Sequence, residues 1–170
     1  MIITRDNIEA STDTDGTAFV NISPAETPFV VRFYAERDRN PILHSWLRSF
    51  WRDRPALVAH VSDKVFYSEH QAAIKDILDR SETITLLSCD PEDEKHLYSW
   101  LCAEIRPAEL VLHYGWSWNF ARGNGCFTAL LNKVLSELGD RKLVYTHRSG
   151  KARVVADKLG ATYNPYRIFA

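Results

Sequence analysis

Cysteine is scarce in this chain. Cys89, Cys102 and Cys126 are the only three in 170 residues, they stand far apart, and no two form a CxxC pair. That excludes a disulfide framework and a cysteine-based zinc site. The thiols read as small buried hydrophobes in a reducing compartment. Long apolar runs are missing as well. None approaches the roughly 20 residues that span a bilayer, so no membrane partner is expected. The opening stretch, MIITRDNIEASTDTDG, places Arg5, Asp6 and Glu9 where a signal peptide would need an apolar core, and the expected setting is cytoplasmic. There is no excess of one charge: 21 Lys and Arg against 22 Asp and Glu leave a formal net charge of −1. Nucleic-acid binders usually show a basic excess, so nucleic acid is not an expected partner. His44, His60, His70, His96 and His147 have no metal-ligand spacing, and no metal is expected. Repeats and low-complexity tracts are absent.

What remains is an ordinary globular composition, 45% apolar and 25% charged, in a chain long enough for one full core. Residues 1–28 differ in texture. They are rich in Thr, Asp, Ser and Pro, and read as an extended arm with one short strand at Phe19–Ile22. Pro24 and Pro28 oppose helix there. A polar arm frays unless held, so it is expected to pack on the body or on a partner.

From Phe29 onward a single domain, 29–170, is expected. Phe29–Ala35 is dense in β-branched and aromatic residues and predicts a strand. Asn40-Pro41 predicts a cap and first turn, and Ile42, Leu43, Trp46, Leu47, Phe50 and Trp51 follow with helical spacing. Residues 56–61 and 64–67 read as strand or loop, and a second helix opens at Ser68-Glu69 and runs to Arg80. Thr83–Cys89 and His96–Ile105 predict an antiparallel hairpin, and Leu110–Trp118 a third strand. A helix follows with Phe127, Leu130, Leu131, Val134, Leu135 and Leu138 on one face. Lys142–His147 predicts a strand, Gly150–Leu159 a short helix, and Thr162–Phe169 a last strand. The order implies an α+β fold: a mixed, mostly antiparallel central sheet flanked by helices.

The junction between the third strand and the helix at Phe127 carries the most chemical information. A helix N-terminus leaves backbone N–H groups unpaired and is electropositive. Glycines let an anion approach those groups without a Cβ in the way. Arg122, Gly123, Asn124, Gly125 and Cys126 therefore suit a diphosphate. Neither the P-loop pattern GxxxxGK nor the dinucleotide pattern GxGxxG is present.

The stretch Arg122-Gly123-Asn124-Gly125-Cys126-Phe127-Thr128-Ala129-Leu130-Leu131 resembles the acetyl-CoA signature of the GNAT acetyltransferases. The hairpin and long strand before it, and Ala156-Asp157-Lys158-Leu159-Gly160-Ala161 after it, are also similar to that superfamily. The resemblance covers residues 29–170 in element order. It implies a sheet that splays into a V after the third strand, with acetyl-CoA or another acyl-CoA in the V. The diphosphate is then expected on the amides of Gly123 to Cys126, and the pantetheine along Tyr114, Gly115 and Trp116. A strand amide would hold the thioester carbonyl while a small-molecule or protein amine attacks it directly.

Two departures from the signature stand out. Phe127 occupies a position where the family has a small residue. Its ring either presses on the diphosphate or points into the core, and the helical period favours the core. Ala156 occupies the place of a tyrosine that commonly protonates the leaving thiolate. No general base or acid is assigned from the sequence. His113 and Glu104, on strands flanking the expected site, read first as satisfied polar residues. Trp116 and Trp118 share a face with Tyr114, and either line the V or fill it.

Two functions are therefore kept. One is an acyl-CoA-dependent N-acetyltransferase. The other is a catalytically degenerate GNAT-fold protein, similar to those encoded by tailed phages, acting as a structural or adaptor component and located in a virion rather than the cytoplasm. The arm and the last strand offer surfaces for a protein partner or homo-oligomer.

Overall fold

The computed structural model describes residues 8–12, 18–22, 29–53 and 59–169. Two short strands, β1 (Ile8–Thr12) and β2 (Ala18–Ile22), pair antiparallel as a separate two-stranded sheet. The arm thus carries one strand more than the sequence predicts. How the arm packs on the body lies outside the described residues.

The main sheet has six strands in the order β3 (Val30–Phe33), β4 (Thr83–Cys89), β5 (Leu97–Ile105), β6 (Glu109–Ser117), β7 (Lys142–Tyr145) and β8 (Thr162–Tyr163). The pairs from β3 to β6 are antiparallel, and β6–β7 and β7–β8 are parallel. The described helices are α1 (Arg39–Asp53), α2 (Asp63–Asp79), α3 (Cys126–Leu135) and α4 (Gly150–Lys158).

Alternation along the strands sends consecutive residues to opposite faces. Leu87, Cys89, Trp100, Cys102 and Tyr114 pack with Ile42, Leu43, Trp46 and Leu47 of α1 and Ile74, Ile77 and Leu78 of α2. Leu86, Leu101, Ala103, Leu110 and Leu143 pack instead with Leu130 and Val134 of α3. The sheet therefore separates two apolar layers. The expected α+β fold, with its mixed and mostly antiparallel sheet, is the observed one.

Three predicted elements are corrected. α2 begins at Asp63, with the Ser62 side chain accepting from the Val65 amide, so 64–67 is helix and not strand or loop. Val-Phe-Tyr looks strand-like, yet only Phe66 is buried, and Ile74 and Ile77 continue its helical stripe. The last strand is only Thr162–Tyr163. Asn164 then caps a 3-10 turn, Pro165–Ile168, because its side chain accepts from the Tyr166 amide and Pro165 has no N–H to give a ladder. α1 begins at Arg39, directly after a 3-10 turn at Glu36–Asp38, rather than behind an Asn40 cap.

Candidate functional site

β6 is the strand on which the site is built. It pairs with β7 from Glu109↔Lys142 to Leu112↔Tyr145, and the described ladder ends there. Thr146 closes the fork: its amide donates to the Leu112 carbonyl at 3.0 Å, and its hydroxyl to the His113 carbonyl at 3.0 Å. Beyond it β6 continues to Ser117 with β5 as its only described neighbour. The Trp118 amide donates to the Tyr98 carbonyl at 3.0 Å, so the antiparallel alternation turns Trp116 and Tyr114 toward β5. Gly115 and Ser117 accordingly direct their backbone N–H and C=O groups away from β5, where the Ser117 carbonyl accepts from Arg122 at 3.3 Å.

The fork has a cause in the register. The β5–β6 pairing shifts between Cys102 and Ala103, which face Tyr114 and Leu112, so His113 is the extra, bulged residue. A bulge bends its strand and increases its twist. His113 is anchored at that bend. Its Nε2 donates to Glu104 at 2.9 Å, and Glu104 also accepts from Arg80 at 3.0 Å and from Arg106 at 2.7 Å. Burial by itself would raise the Glu104 carboxyl, but bonds from His113, Arg106 and Arg80 outweigh it and hold the group well below the usual carboxylate range. Burial lowers the His113 pKa against the pull of Glu104, so the ring is neutral. The pair is a structural pin, as the sequence reading favoured. Arg80 and Arg106 extend it by donating to the carbonyls of Ile168 and Arg167, which ties down the C-terminal turn.

At the far end of β6, Gly123 (φ 83°) and Gly125 (φ 77°) are both in the left-handed region that favours glycine. Gly125 is the N-cap of α3, where it makes no side-chain cap, and its carbonyl accepts from Ala129. The amides of Cys126, Phe127 and Thr128 lie ahead of that first helical bond and so have no partner within the helix. A Cβ built on Gly123 meets no atom within 4 Å, so the loop opens to space. Asn124 is exposed there.

Phe127 points into the core. Its ring lies against Gly115 so closely that a Cβ there would stand 2.4 Å from Cε2, and it packs beside Leu101, Leu130 and their neighbours. The ring therefore does not cover the helix start. Cys126 is buried at the first helical position, and burial pushes its thiol up to about 11, so it is a protonated hydrophobe despite the favourable helix end. Cys89 and Cys102 are likewise free and buried.

Of the other predicted site residues, Tyr114 contributes backbone rather than an open side chain. It is buried, stacks on Trp46 at 5.0 Å, and shares a 2.6 Å hydrogen bond with Ser49. Trp116 is half-buried and lies on the same packed face. Arg122 is exposed, and its guanidinium sits 5.4 Å from the Trp116 centroid and donates to the Ser117 carbonyl. Ala156 is buried.

The sequence reading missed His147, Phe50 and Arg52. His147 follows β7 and packs edge-on to Tyr114 at 4.5 Å and against Phe50 at 4.4 Å. Arg52, from the last turn of α1, lies 5.6 Å from the Trp116 centroid. No local signal marks any of the three, because the contacts join residues from different elements, far apart in sequence. Among the described residues no group of three metal-ligating side chains occurs, and no helix is long and apolar enough to cross a membrane.

No protein-family model matches the chain, and neither does any curated protein. Solved structures do match. A protein of Pyrococcus furiosus assigned as an acetyl transferase aligns with a TM-score of 0.60 at 15% identity, over 76% of this chain and 91% of its own. The Corynebacterium glutamicum structure described as histone acetyltransferase HPA2 and related acetyltransferase gives 0.58 at 18%, over 78% and 84%. A Clostridium acetobutylicum protein described as a predicted acetyltransferase with acetyl-CoA gives 0.55 at 14%, over 78% and 88%. The shared fold is the GNAT-like one.

Proposed function

We propose that the chain is an acyl-CoA-dependent N-acetyltransferase that moves an acetyl group from acetyl-CoA to an amine by direct attack. The observation that carries this reading is the uncapped start of α3 opening beside the free edge of β6. Acetyl-CoA supplies an activated acyl thioester. The residues of this chain supply its seat. The amides of Gly123, Gly125 and Cys126, with the helix end behind them, suit the diphosphate, whereas the Asn124 amide donates to the Ala121 carbonyl at 3.4 Å. The outward N–H and C=O groups of Gly115 and the N–H of Ser117 suit the amides of pantetheine, which can add as a strand would. An N–H aimed into a site with water excluded stabilises an oxyanion. The Clostridium neighbour crystallised with acetyl-CoA supports the assignment of the co-substrate. No residue is assigned as general acid or base, and Ala156 supplies neither.

A second reading draws on the ring packing at the fork, where Tyr114, His147, Phe50 and Trp46 meet. On that reading the chain is a degenerate member of the fold with a structural or adaptor role, for example in a phage particle. Calorimetric titration with acetyl-CoA separates the two. The enzyme reading expects a dissociation constant in the micromolar range, about −7 to −8 kcal/mol. A flat titration favours the adaptor.

A further inference from the structure

The guanidinium groups of Arg52 and Arg122 lie over one indole, that of Trp116, at 5.6 and 5.4 Å from its centroid. They arrive from opposite sides of the sequence, one from the end of α1 and one from the loop before α3. A cation over an indole at an exposed site gains little, and two cations sharing a ring repel. Their hydrogen-bonding capacity is barely used. Arg122 spends one N–H on the Ser117 carbonyl. Arg52 has no hydrogen-bond acceptor among the described residues; its nearest acid is Asp53, whose carboxylate stands 3.8 Å from Nε. Arg48, one turn earlier on α1, is exposed too. A chain with a formal charge of −1 thus concentrates cations at one point.

That point has a definite place. Trp116 follows Gly115, whose backbone borders the gap. Its side chain belongs to the layer of α1 and Tyr114, whereas Phe127 covers the other face at Gly115. The face of β6 opposite Phe127 is thus the α1 layer, and Arg52 lies on it beside Trp116. The uncapped amides of α3 already suit the diphosphate, which leaves this second anion seat for the other substrate.

We infer that the acceptor amine carries an acid group, a carboxylate or a phosphate, and that Arg52 with Arg122 receives it beside Trp116. This rests on the acetyltransferase reading. The test titrates the protein, saturated with CoA, with 4-aminobutyrate and O-phosphoethanolamine and with their counterparts lacking the acid group, 4-aminobutanamide and ethanolamine. The acid-bearing probes are expected to bind at least about tenfold more tightly than the amines lacking the acid group. Comparing the two acids tells carboxylate from phosphate. Arg52→Gln is expected to remove that preference and Arg52→Lys to restore part of it, with CoA affinity unchanged within about twofold. Equal binding of the probes with and without the acid group, or none of any probe at roughly millimolar concentration, overturns the inference. So does a loss of CoA affinity in Arg52→Gln, which would assign the anion to the diphosphate. A wild-type protein that binds no CoA at all overturns the acetyltransferase reading itself, a result distinct from these.

Discussion

At Gly115 and Phe127 two side-chain choices depend on each other. Phe127 departs from the signature, and the backbone of β6 accommodates it by having no Cβ at 115. Gly115→Ala is expected to cost about 2 kcal/mol by overpacking, read from chemical denaturation. Phe127→Leu should relieve part of that cost in the double variant, giving a coupling of at least roughly 0.5 kcal/mol. Phe127→Gly would strengthen acetyl-CoA binding were the ring in the seat. Here it is expected to lower stability by about 2 kcal/mol and leave binding no tighter. Glu104 and His113 give a pH dependence of definite sign. Both folded pKa values lie below their unfolded values. Each therefore contributes stability that is present above the unfolded pKa, about 6.5 for His and 4.3 for Glu, and is lost as pH falls through it toward the folded value. The melting temperature is expected to fall from pH 7 to pH 4, with the His113 part lost first. Glu104→Gln should cost about 3 kcal/mol at pH 7, because it removes the buried carboxylate that His113 and the half-buried Arg80 and Arg106 share. A variant as stable as the parent would show that the pin is dispensable.

Among the elements, α3 was readable in advance and α2 only in part. The run from Cys126 has unbroken apolar spacing and glycine punctuation before it, so its start and its buried face follow from local chemistry. The start of α2 departs from the sequence reading because Val65, Phe66 and Tyr67 favour a strand locally, while tertiary packing of Phe66 on Phe50 and Trp51 of α1 decides for helix. The end of the chain failed for a related reason: the carbonyls of Arg167 and Ile168 find Arg106 and Arg80 rather than a neighbouring strand. In the site, the glycine loop and β6 were visible, because their chemistry is contiguous in sequence. The bulge at His113, the Glu104 anchor and the Arg52–Trp116 contact were not, since each depends on strand register or helix placement. Gly125 sits at a φ of 77°, so Gly125→Ala is expected to cost about 1 kcal/mol and to tilt the first amides of α3. Acetyl-CoA affinity should fall about tenfold in the same variant, and an unchanged affinity would remove those amides from the seat.

For the molecule as a whole, the sheet does two jobs with one strand. The first half of β6 joins β7 and completes the core. The second half leaves β7 at the bulge and presents an edge beside a bare helix end. Two apolar layers hold this geometry from opposite sides, α1 and α2 on one, α3 on the other. The edge and the helix end are useful together only if something anionic and extended lies between them. Calorimetric titration of the intact protein with acetyl-CoA tests that most directly. The expected result is one site per chain at micromolar affinity, weakened by Gly125→Ala and untouched by Arg52→Gln. Absence of heat together with an unshifted melting temperature at roughly millimolar acetyl-CoA would contradict it, because a ligand bound only to the folded chain must raise that temperature.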